Sequence, residues 1–149
     1  MSRSRRALEQ GGAVVELARD QAEVQDLLDR FAAALTAGDG KAAARLWAVP
    51  AVVMDDAMVR PVDTLSEVEQ VFSGVRLEYN AQGITDTRAE LVDLRWSTTR
   101  IAIAEVRWPW LDEHGDELGD EVSTYVLRRD DSGNLRIQAV IMHGASPAA

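Results

Sequence analysis

Apolar and polar residues alternate almost without interruption over residues 90–143, and short groups of turn residues divide this segment. Alternation with a period of two is typical of β-strands, because successive side chains of a strand point to opposite faces of a sheet. The turn residues Thr98-Thr99, Gly115-Asp116 and 130–133 therefore predict four antiparallel strands. The rest of the fold is expected to be organised around this segment.

Each turn also predicts which residues of adjacent strands lie opposite one another. The first places Glu90 opposite Arg107, the second Val106 opposite Tyr125, and the third Tyr125 opposite Gln138. These registers sort the strands into two faces. The first face combines aromatic side chains with isolated polar groups: Ala104, Val106, Trp108, Trp110, Ser123, Tyr125, Leu127, Gln138, Val140 and Met142. The second face is mainly aliphatic: Ile101, Ile103, Glu105, Arg107, Thr124, Val126, Ile137, Ala139 and Ile141.

Both faces are substantially apolar, whereas an antiparallel sheet with one face in water alternates cleanly between apolar and polar residues. We therefore expect both faces to be covered. The first face is interpreted as the wall of a ligand pocket beneath helices. The second is interpreted as the contact surface of a homodimer.

Helical patterns precede the strands. Apolar residues fall on one stripe of a helix predicted over 20–37, and a short second helix is predicted over 40–47 after the capping residue Asp39. A third helix is predicted to begin at Thr64, where a capping pair is present, and to end at Gly83.

A strand pair is predicted between the second and third helices, with 51–54 and 58–60 as its strands and Asp55-Asp56 as its turn. Residues 1–19 have no firm period and contain two adjacent glycines, which predicts a mobile arm. The predicted division is an arm over 1–19, one domain over 20–144 and a tail over 145–149.

Composition limits the classes of partner. The chain has 149 residues, 46% of them hydrophobic, so it can bury the core of one domain. Its net charge of -9 argues against binding nucleic acid or anionic membranes, because both require clustered cationic side chains. It has no cysteine, no apolar run of membrane-spanning length and no glycine-rich phosphate loop. We expect a cytoplasmic protein with neither nucleic-acid nor membrane partners, and with no cofactor and no metal.

Three segments carry a family resemblance: DRFAAAL at 29–35 followed by Gly38-Asp39, AVVMD at 51–55, and YVLRR at 125–129 followed by GNLRI at 133–137. Together with the order of elements, they resemble the nuclear transport factor 2-like superfamily, which includes SnoaL-like polyketide cyclases and ketosteroid isomerases. The resemblance implies an α+β fold. In it, a strongly curved, cone-shaped antiparallel sheet carries three helices from the N-terminal half on its concave face, and the convex face forms a homodimer.

The resemblance also suggests roles for individual residues. Asp55 occupies the position of the catalytic base of ketosteroid isomerases, and a carboxylate at the mouth of an apolar cavity is a better proton acceptor because burial raises its pKa. The alternative for Asp55 is ordinary turn chemistry in water. The two oxyanion donors of that family correspond to Phe31 and Tyr125, so this chain departs from the steroid isomerase pattern. Tyr125 is either a single donor or a core tyrosine bonded to nearby backbone.

The resulting prediction is a pocket for a small apolar or aromatic molecule, with Asp55 and Tyr125 as catalytic candidates and acid/base chemistry of the isomerase, cyclase or lyase type. The predicted ligand-binding residues are Phe31, Trp47, Trp108, Ser123, Gln138, Val140 and Met142. One alternative is a non-catalytic dimeric binding module. Another is an accessory fold with a filled interior, in which Phe31 and Trp108 would be in direct contact.

Overall fold

Segments with the helical hydrophobic period and segments with the strand period form two layers, one of helices and one of β-strands. A computed structural model describes residues 2–147, with side chains described from Arg19 onward. The helices are α1 Ser2–Ala37, α2 Gly40–Ala44, α3 Leu65–Ser73 and α4 Val75–Ala81. The strands are β1 Trp47–Met54, β2 Val59–Val62, β3 Asp86–Thr87, β4 Glu90–Trp96, β5 Ile101–Leu111, β6 Glu117–Arg129 and β7 Leu135–Pro147.

The seven strands form one curved sheet in the order β2-β1-β7-β6-β5-β3, with β4 also paired to β5. The four long strands of the C-terminal half are antiparallel neighbours, as the alternation predicts, whereas β1 runs parallel to β7. The helices cover the inner face, where apolar residues of α1 meet those of β5 and β6. The core residues without solvent exposure include Val24, Leu28, Ala102, Ala104, Val106 and Leu127. The predicted α+β fold is confirmed.

Local capping signals in the helices are also confirmed. The Asp39 carboxylate accepts a hydrogen bond from the backbone N–H of Ala42 at 3.0 Å, and the Thr64 hydroxyl accepts one from Glu67 at 3.2 Å. The second helix is shorter than predicted, because the chain turns into β1 at Trp47. The predicted third helix is divided at Gly74 into α3 and α4.

The ends of the chain differ from the prediction. Helix α1 begins at Ser2 and runs through the segment predicted as an arm. Glycine in a helix interior costs about 1 kcal/mol relative to alanine but does not forbid the helix. Strand β7 continues to Pro147, which lies opposite Gly119 of β6, so most of the predicted tail is paired. The remaining residues, Met1, Ala148 and Ala149, lie outside the described range.

The β5–β6 register is displaced by two residues from the prediction. Glu90 lies opposite Arg107 as predicted, and their side chains form an ion pair at 2.7 Å. Tyr125, however, lies opposite Ala104 instead of Val106. The hairpin closes between Asp112 and Asp116, and an irregularity follows at Trp110 and Leu111. An even displacement keeps every side chain on its predicted face, because the period of a strand is two.

The predicted placement of Gln138 and Ile137 is wrong. Val126 pairs with Ala139 and Leu127 with Ile137, so Gln138 is an extra residue in a β-bulge. The bulge turns Ile137 into the core, where it has no exposure, and turns Gln138 away from it. The Gln138 amide instead donates to the carbonyl oxygens of Ala48 and Pro50 beside β1.

Candidate functional site

A cavity of about 220 Å³ lies between the helices and the inner face of the sheet. Helices α1, α3 and α4 supply one wall, and strands β1, β2, β5, β6 and β7 and the turn before β2 supply the other. The lining residues are Phe31, Leu35, Trp47, Val53, Met58, Arg60, Val71, Phe72, Val75, Tyr79, Trp108, Glu121, Ser123, Tyr125, Val140 and Met142.

Aromatic side chains dominate the lining. The chain contains two phenylalanines, four tryptophans and two tyrosines, and six of these eight side chains line the cavity. Phe31 of α1 is at the centre of the group and is only 1% exposed. Its ring centroid lies 5.1 Å from that of Phe72, 5.9 Å from Trp108 and 6.2 Å from Trp47 and Tyr125.

The contact between Phe31 and Trp108 was the feature expected of a filled interior. The contact is present, with the two rings edge to face, but both rings also border the cavity. The interior is therefore partly filled. Tyr125 also contacts Phe31, so its phenol points to the helical side of the sheet, as the pocket hypothesis requires.

A few polar groups interrupt this apolar lining. Glu121 and Ser123 are inward-facing positions of β6, and Tyr79 reaches the cavity from α4. Burial raises the pKa of the Glu121 carboxyl. Burial, followed by the nearby negative charge of Glu121, raises the pKa of Tyr79 to about 12. Burial also raises the pKa of Tyr125, and Glu121 adds to this shift. Both phenols are therefore protonated at neutral pH and can donate hydrogen bonds.

Glu121 has no cationic partner within residues 19–147: it takes part in no ion pair and no side-chain hydrogen bond there. Arg60 is the cationic residue among those that line the cavity, but it is exposed and forms no ion pair with Glu121. A partly buried carboxylate without a counter-charge is uncommon, because the charged form loses hydration.

The structure places Asp55 in the turn after β1 and not in the cavity lining. One of its carboxylate oxygens accepts hydrogen bonds from the backbone N–H groups of Ala57 at 2.8 Å and Met58 at 2.9 Å. This is the turn arrangement weighed as the alternative. Met58, which these bonds help to position, does line the cavity. A base role for Asp55 stays a prediction.

Most of the predicted ligand-binding residues are brought together. Phe31, Trp47, Trp108, Ser123, Val140, Met142 and the catalytic candidate Tyr125 line the cavity, whereas Gln138 and Asp55 do not.

Nine lining residues were not among the predicted site residues: Leu35, Val53, Met58, Arg60, Val71, Phe72, Val75, Tyr79 and Glu121. Phe72 and Tyr79 share the apolar stripe of the predicted third helix. Glu121 shares the parity of Ser123 and Tyr125, so its position along the strand was the available signal.

A family profile described as NTF2-like protein (DUF6841) matches residues 21–145. The chain belongs to this NTF2-like family. The resemblance inferred from its sequence segments is therefore confirmed. The family description assigns no activity to its members.

Solved structures share the fold of this NTF2-like protein. A cystatin-like domain of unknown function from Nostoc punctiforme has a TM-score of 0.67 at 15% identity, covering 84% of this chain and 76% of that one. An NTF2-like protein from Novosphingobium aromaticivorans has a TM-score of 0.66 at 16% identity, covering 91% and 88%. A ketosteroid isomerase-like protein from Erwinia carotovora atroseptica has a TM-score of 0.61 at 12% identity, covering 82% and 93%. At these identities the likeness concerns the fold.

A search of curated proteins finds no match. Within the described part of the chain, no helix combines the length and apolar character needed to cross a membrane. Nor do three or more histidine, aspartate or glutamate side chains of that part converge as a metal site would require.

Proposed function

We propose that this NTF2-like protein binds a small, largely aromatic molecule in the cavity beneath α1, α3 and α4. The observation that carries the proposal is the concentration of six of the eight aromatic side chains around one space. Ligand sites are typically apolar and aromatic with a few polar groups that orient the ligand. An apolar cavity of about 150 Å³ can hold benzene. A space of about 220 Å³ is therefore suited to a molecule of one or two rings.

Conversion of the bound molecule by acid/base chemistry, of the isomerase, cyclase or lyase type, is the finer form of the proposal. Glu121 is the carboxylate that borders the cavity, and Tyr125 is a protonated phenol on the same strand. These two groups could accept and donate a proton at a bound molecule. Asp55 does not border the cavity, and one of its carboxylate oxygens accepts the two hydrogen bonds of the turn. A non-catalytic binding module is the second candidate, favoured by Phe31, which has no hydroxyl where the steroid isomerase pattern requires a donor.

Binding can be tested by titrating the isotope-labelled protein with phenethyl alcohol and with indole while observing the tryptophan indole N–H signals by NMR. Trp47 and Trp108 line the cavity, whereas Trp96 lies outside it beneath the Arg129 guanidinium and serves as an internal control. We expect the first two signals to shift in a saturable manner and the Trp96 signal to stay constant. Equal shifts of all three, or none, would contradict the proposal.

A matched pair of variants adds a second control. Ser123 is 3% exposed and borders the cavity, so Ser123→Phe should fill the space and abolish the shifts. Thr124 is the next residue on the same strand and faces the opposite side of the sheet, so Thr124→Phe should leave binding unchanged. Once a substrate is found, measuring its turnover can show which of the two carboxylates, Glu121 or Asp55, is the base. Glu121→Gln should abolish it if Glu121 is the base, and Asp55→Asn if Asp55 is.

A homodimer formed through the outer face of the sheet is proposed as the working assembly. The face carries partly exposed aliphatic residues on three adjacent strands, namely Ile101, Ile103, Val126, Ala139 and Ile141. Contiguous apolar surface of this kind is typical of contact sites. Sedimentation at micromolar concentration should show a dimer, and a monomer there would contradict the assembly.

A further inference from the structure

We infer that the molecule bound in the cavity is an arylalkylamine, whose protonated amine pairs with the Glu121 carboxylate while its ring packs against the aromatic wall. This inference rests on the proposed function and adds to it the chemical class of the ligand. Three features support it: the unpaired carboxylate, the aromatic rings of the same cavity, and the net charge of the chain.

The first feature is the position of Glu121. It lies on the inner face of β6, directly opposite Trp108 of β5, and borders the cavity. Buried charges in proteins are normally paired with an opposite charge. The described residues supply no such partner to Glu121, although they supply partners to other half-buried carboxylates: Arg107 lies 2.6 Å from Asp120, the preceding residue on the outer face. A ligand cation would complete the pair.

The second feature is the set of rings around this carboxylate. Trp108 faces Glu121 across the strand pair, and Tyr79 and Tyr125 lie close enough for its charge to act on both phenols. Aromatic faces attract cations, and aromatic cages recognise alkylammonium groups. A carboxylate and aromatic rings on the same cavity wall therefore favour a cation by two independent interactions. A ligand anion would face both the carboxylate and the negative faces of the rings.

The third feature is the net charge of -9, which raises the local concentration of cations near the protein and lowers that of anions. The competing possibility is an anionic ligand held by Arg60. Arg60 also lines the cavity, but it is solvent-exposed on β2, where a charge interaction is screened by water. A neutral carbonyl ligand bound to protonated Glu121 is the other competitor. These alternatives define the arms of the test.

The test measures the affinities of three probes that share a phenyl ring and differ in charge: phenethylamine, phenethyl alcohol and hydrocinnamate. At neutral pH and low salt, we expect the amine to bind at least about tenfold more tightly than the alcohol, because hydrogen bonds between charged groups exceed neutral ones. Hydrocinnamate should bind most weakly. Calorimetry gives the affinities, and the Trp47 and Trp108 signals show that binding takes place in the cavity.

Variants of the two charged lining residues, Glu121 and Arg60, test which of them causes the preference for the amine over the alcohol. Glu121→Gln is nearly isosteric and should reduce amine affinity to that of the alcohol, with alcohol affinity changed by less than about twofold. Glu121→Asp should retain part of the preference. Arg60→Gln should leave amine binding equal or tighter, because it removes a like charge.

The pH dependence provides a further readout. An alkylammonium group stays protonated below about pH 9. Amine affinity should therefore fall as the pH drops through the pKa of Glu121, while alcohol affinity stays constant. The other titratable or charged groups that border the cavity are Tyr79 on α4, Tyr125 on β6 and Arg60 on β2, and the raised pKa values of the two phenols keep both protonated in that range.

Each contrary result has a distinct meaning. Equal affinities for amine and alcohol would overturn the inference and leave the aromatic pocket intact. Tightest binding of hydrocinnamate, lost in Arg60→Gln, would replace the amine with an anion. Parallel loss of both amine and alcohol in Glu121→Gln would assign Glu121 to the shape of the cavity and overturn the pairing. Absence of binding by all three probes would refute the proposed function itself.

Discussion

Phe31→Ala is predicted to be among the most destabilising single substitutions in this chain. The Phe31 ring is 1% exposed and contacts four other aromatic rings at centroid distances of 5.1–6.2 Å. Truncating a buried phenylalanine to alanine costs about 3–5 kcal/mol, from the lost burial of the side chain and the space left behind. Each edge-to-face aromatic contact adds about 0.5–1.5 kcal/mol beyond burial. We expect the upper part of the range, about 4–5 kcal/mol.

The measurement is urea unfolding followed by tryptophan fluorescence, which gives the free energy of unfolding and the slope m that reports the surface exposed. Leu77→Ala is the matched control: Leu77 is 76% exposed on α4, so its loss should change stability by less than about 0.5 kcal/mol. Phe31→Leu should fall between them, at about 1–2 kcal/mol, because most of the volume is retained.

A loss below about 1 kcal/mol in Phe31→Ala, with an unchanged slope m, would refute the reasoning. It would mean that the surrounding rings move into the vacated space and that Phe31 does not hold the cavity walls apart. Indole N–H signals offer an independent check on this point. Trp47 and Trp108 should shift in the variant, whereas Trp96 should not.

Three further substitutions test other parts of the structure. Glu23→Gln should lower stability by about 0.5–1 kcal/mol at neutral pH after allowing for its exposure. The hydrogen bond from Arg129 lowers the pKa of Glu23 from its ordinary value of 4.5. The stabilising effect of Glu23 is therefore complete above pH 4.5 and disappears as the pH falls through the lower pKa of the folded state. Urea unfolding at neutral and at acidic pH should show that the stability difference between Glu23→Gln and the parent protein vanishes in acid. Gly40→Ala should cost about 1–3 kcal/mol because a Cβ there would lie 2.2 and 2.7 Å from atoms of α3, whereas Gly74→Ala, with open space around it, should be nearly neutral in the same assay. Ile141→Lys should convert the proposed dimer to a monomer in sedimentation, and an unchanged dimer would exclude the outer face as the contact.

The helices and the sheet faces were predictable because they depend on local patterns. The stripe containing Phe31 follows the helical period, and Asp39 and Thr64 cap helices by side-chain hydrogen bonds to backbone three residues away. The inward direction of Trp108 and Tyr125 follows from parity alone. The predicted inward direction of both side chains is therefore correct even though the predicted register was displaced by two residues.

The β-bulge could not be predicted from the sequence. Neither glycine nor proline marks Gln138, and the alternation Ile137, Gln138, Ala139 fits an unbroken strand equally well. The bulge is set by tertiary structure: β1 runs parallel to β7 and presents the carbonyl oxygens of Ala48 and Pro50 to the Gln138 amide. A single inserted residue exchanges the faces on one side of the bulge, so Ile137 turns inward while Ala139 keeps its predicted face.

The role of Asp55 depends on individual hydrogen bonds that a sequence pattern cannot predict. A carboxylate after a strand is compatible with both a base and a turn, and its spacing to Ala57 and Met58 allows the two backbone hydrogen bonds that the structure contains. Burial would distinguish the two roles, but burial is a property of the assembled fold. The sequence could therefore name the residue without deciding its surroundings.

Glu121 is the position where the local rules and the fold disagree. Parity puts it on the inner face, next to Ser123 and Tyr125, where an apolar residue of similar length would stabilise the core without losing hydration. The described part of the chain gives this carboxylate no counter-charge, and the aromatic residues that share the cavity wall with it carry none. Breaks in consistency between pattern and structure are expected at functional positions, where stability is exchanged for interaction with another molecule. The charge of Glu121 at this inward position is thus the reason to propose it as the residue that binds the ligand.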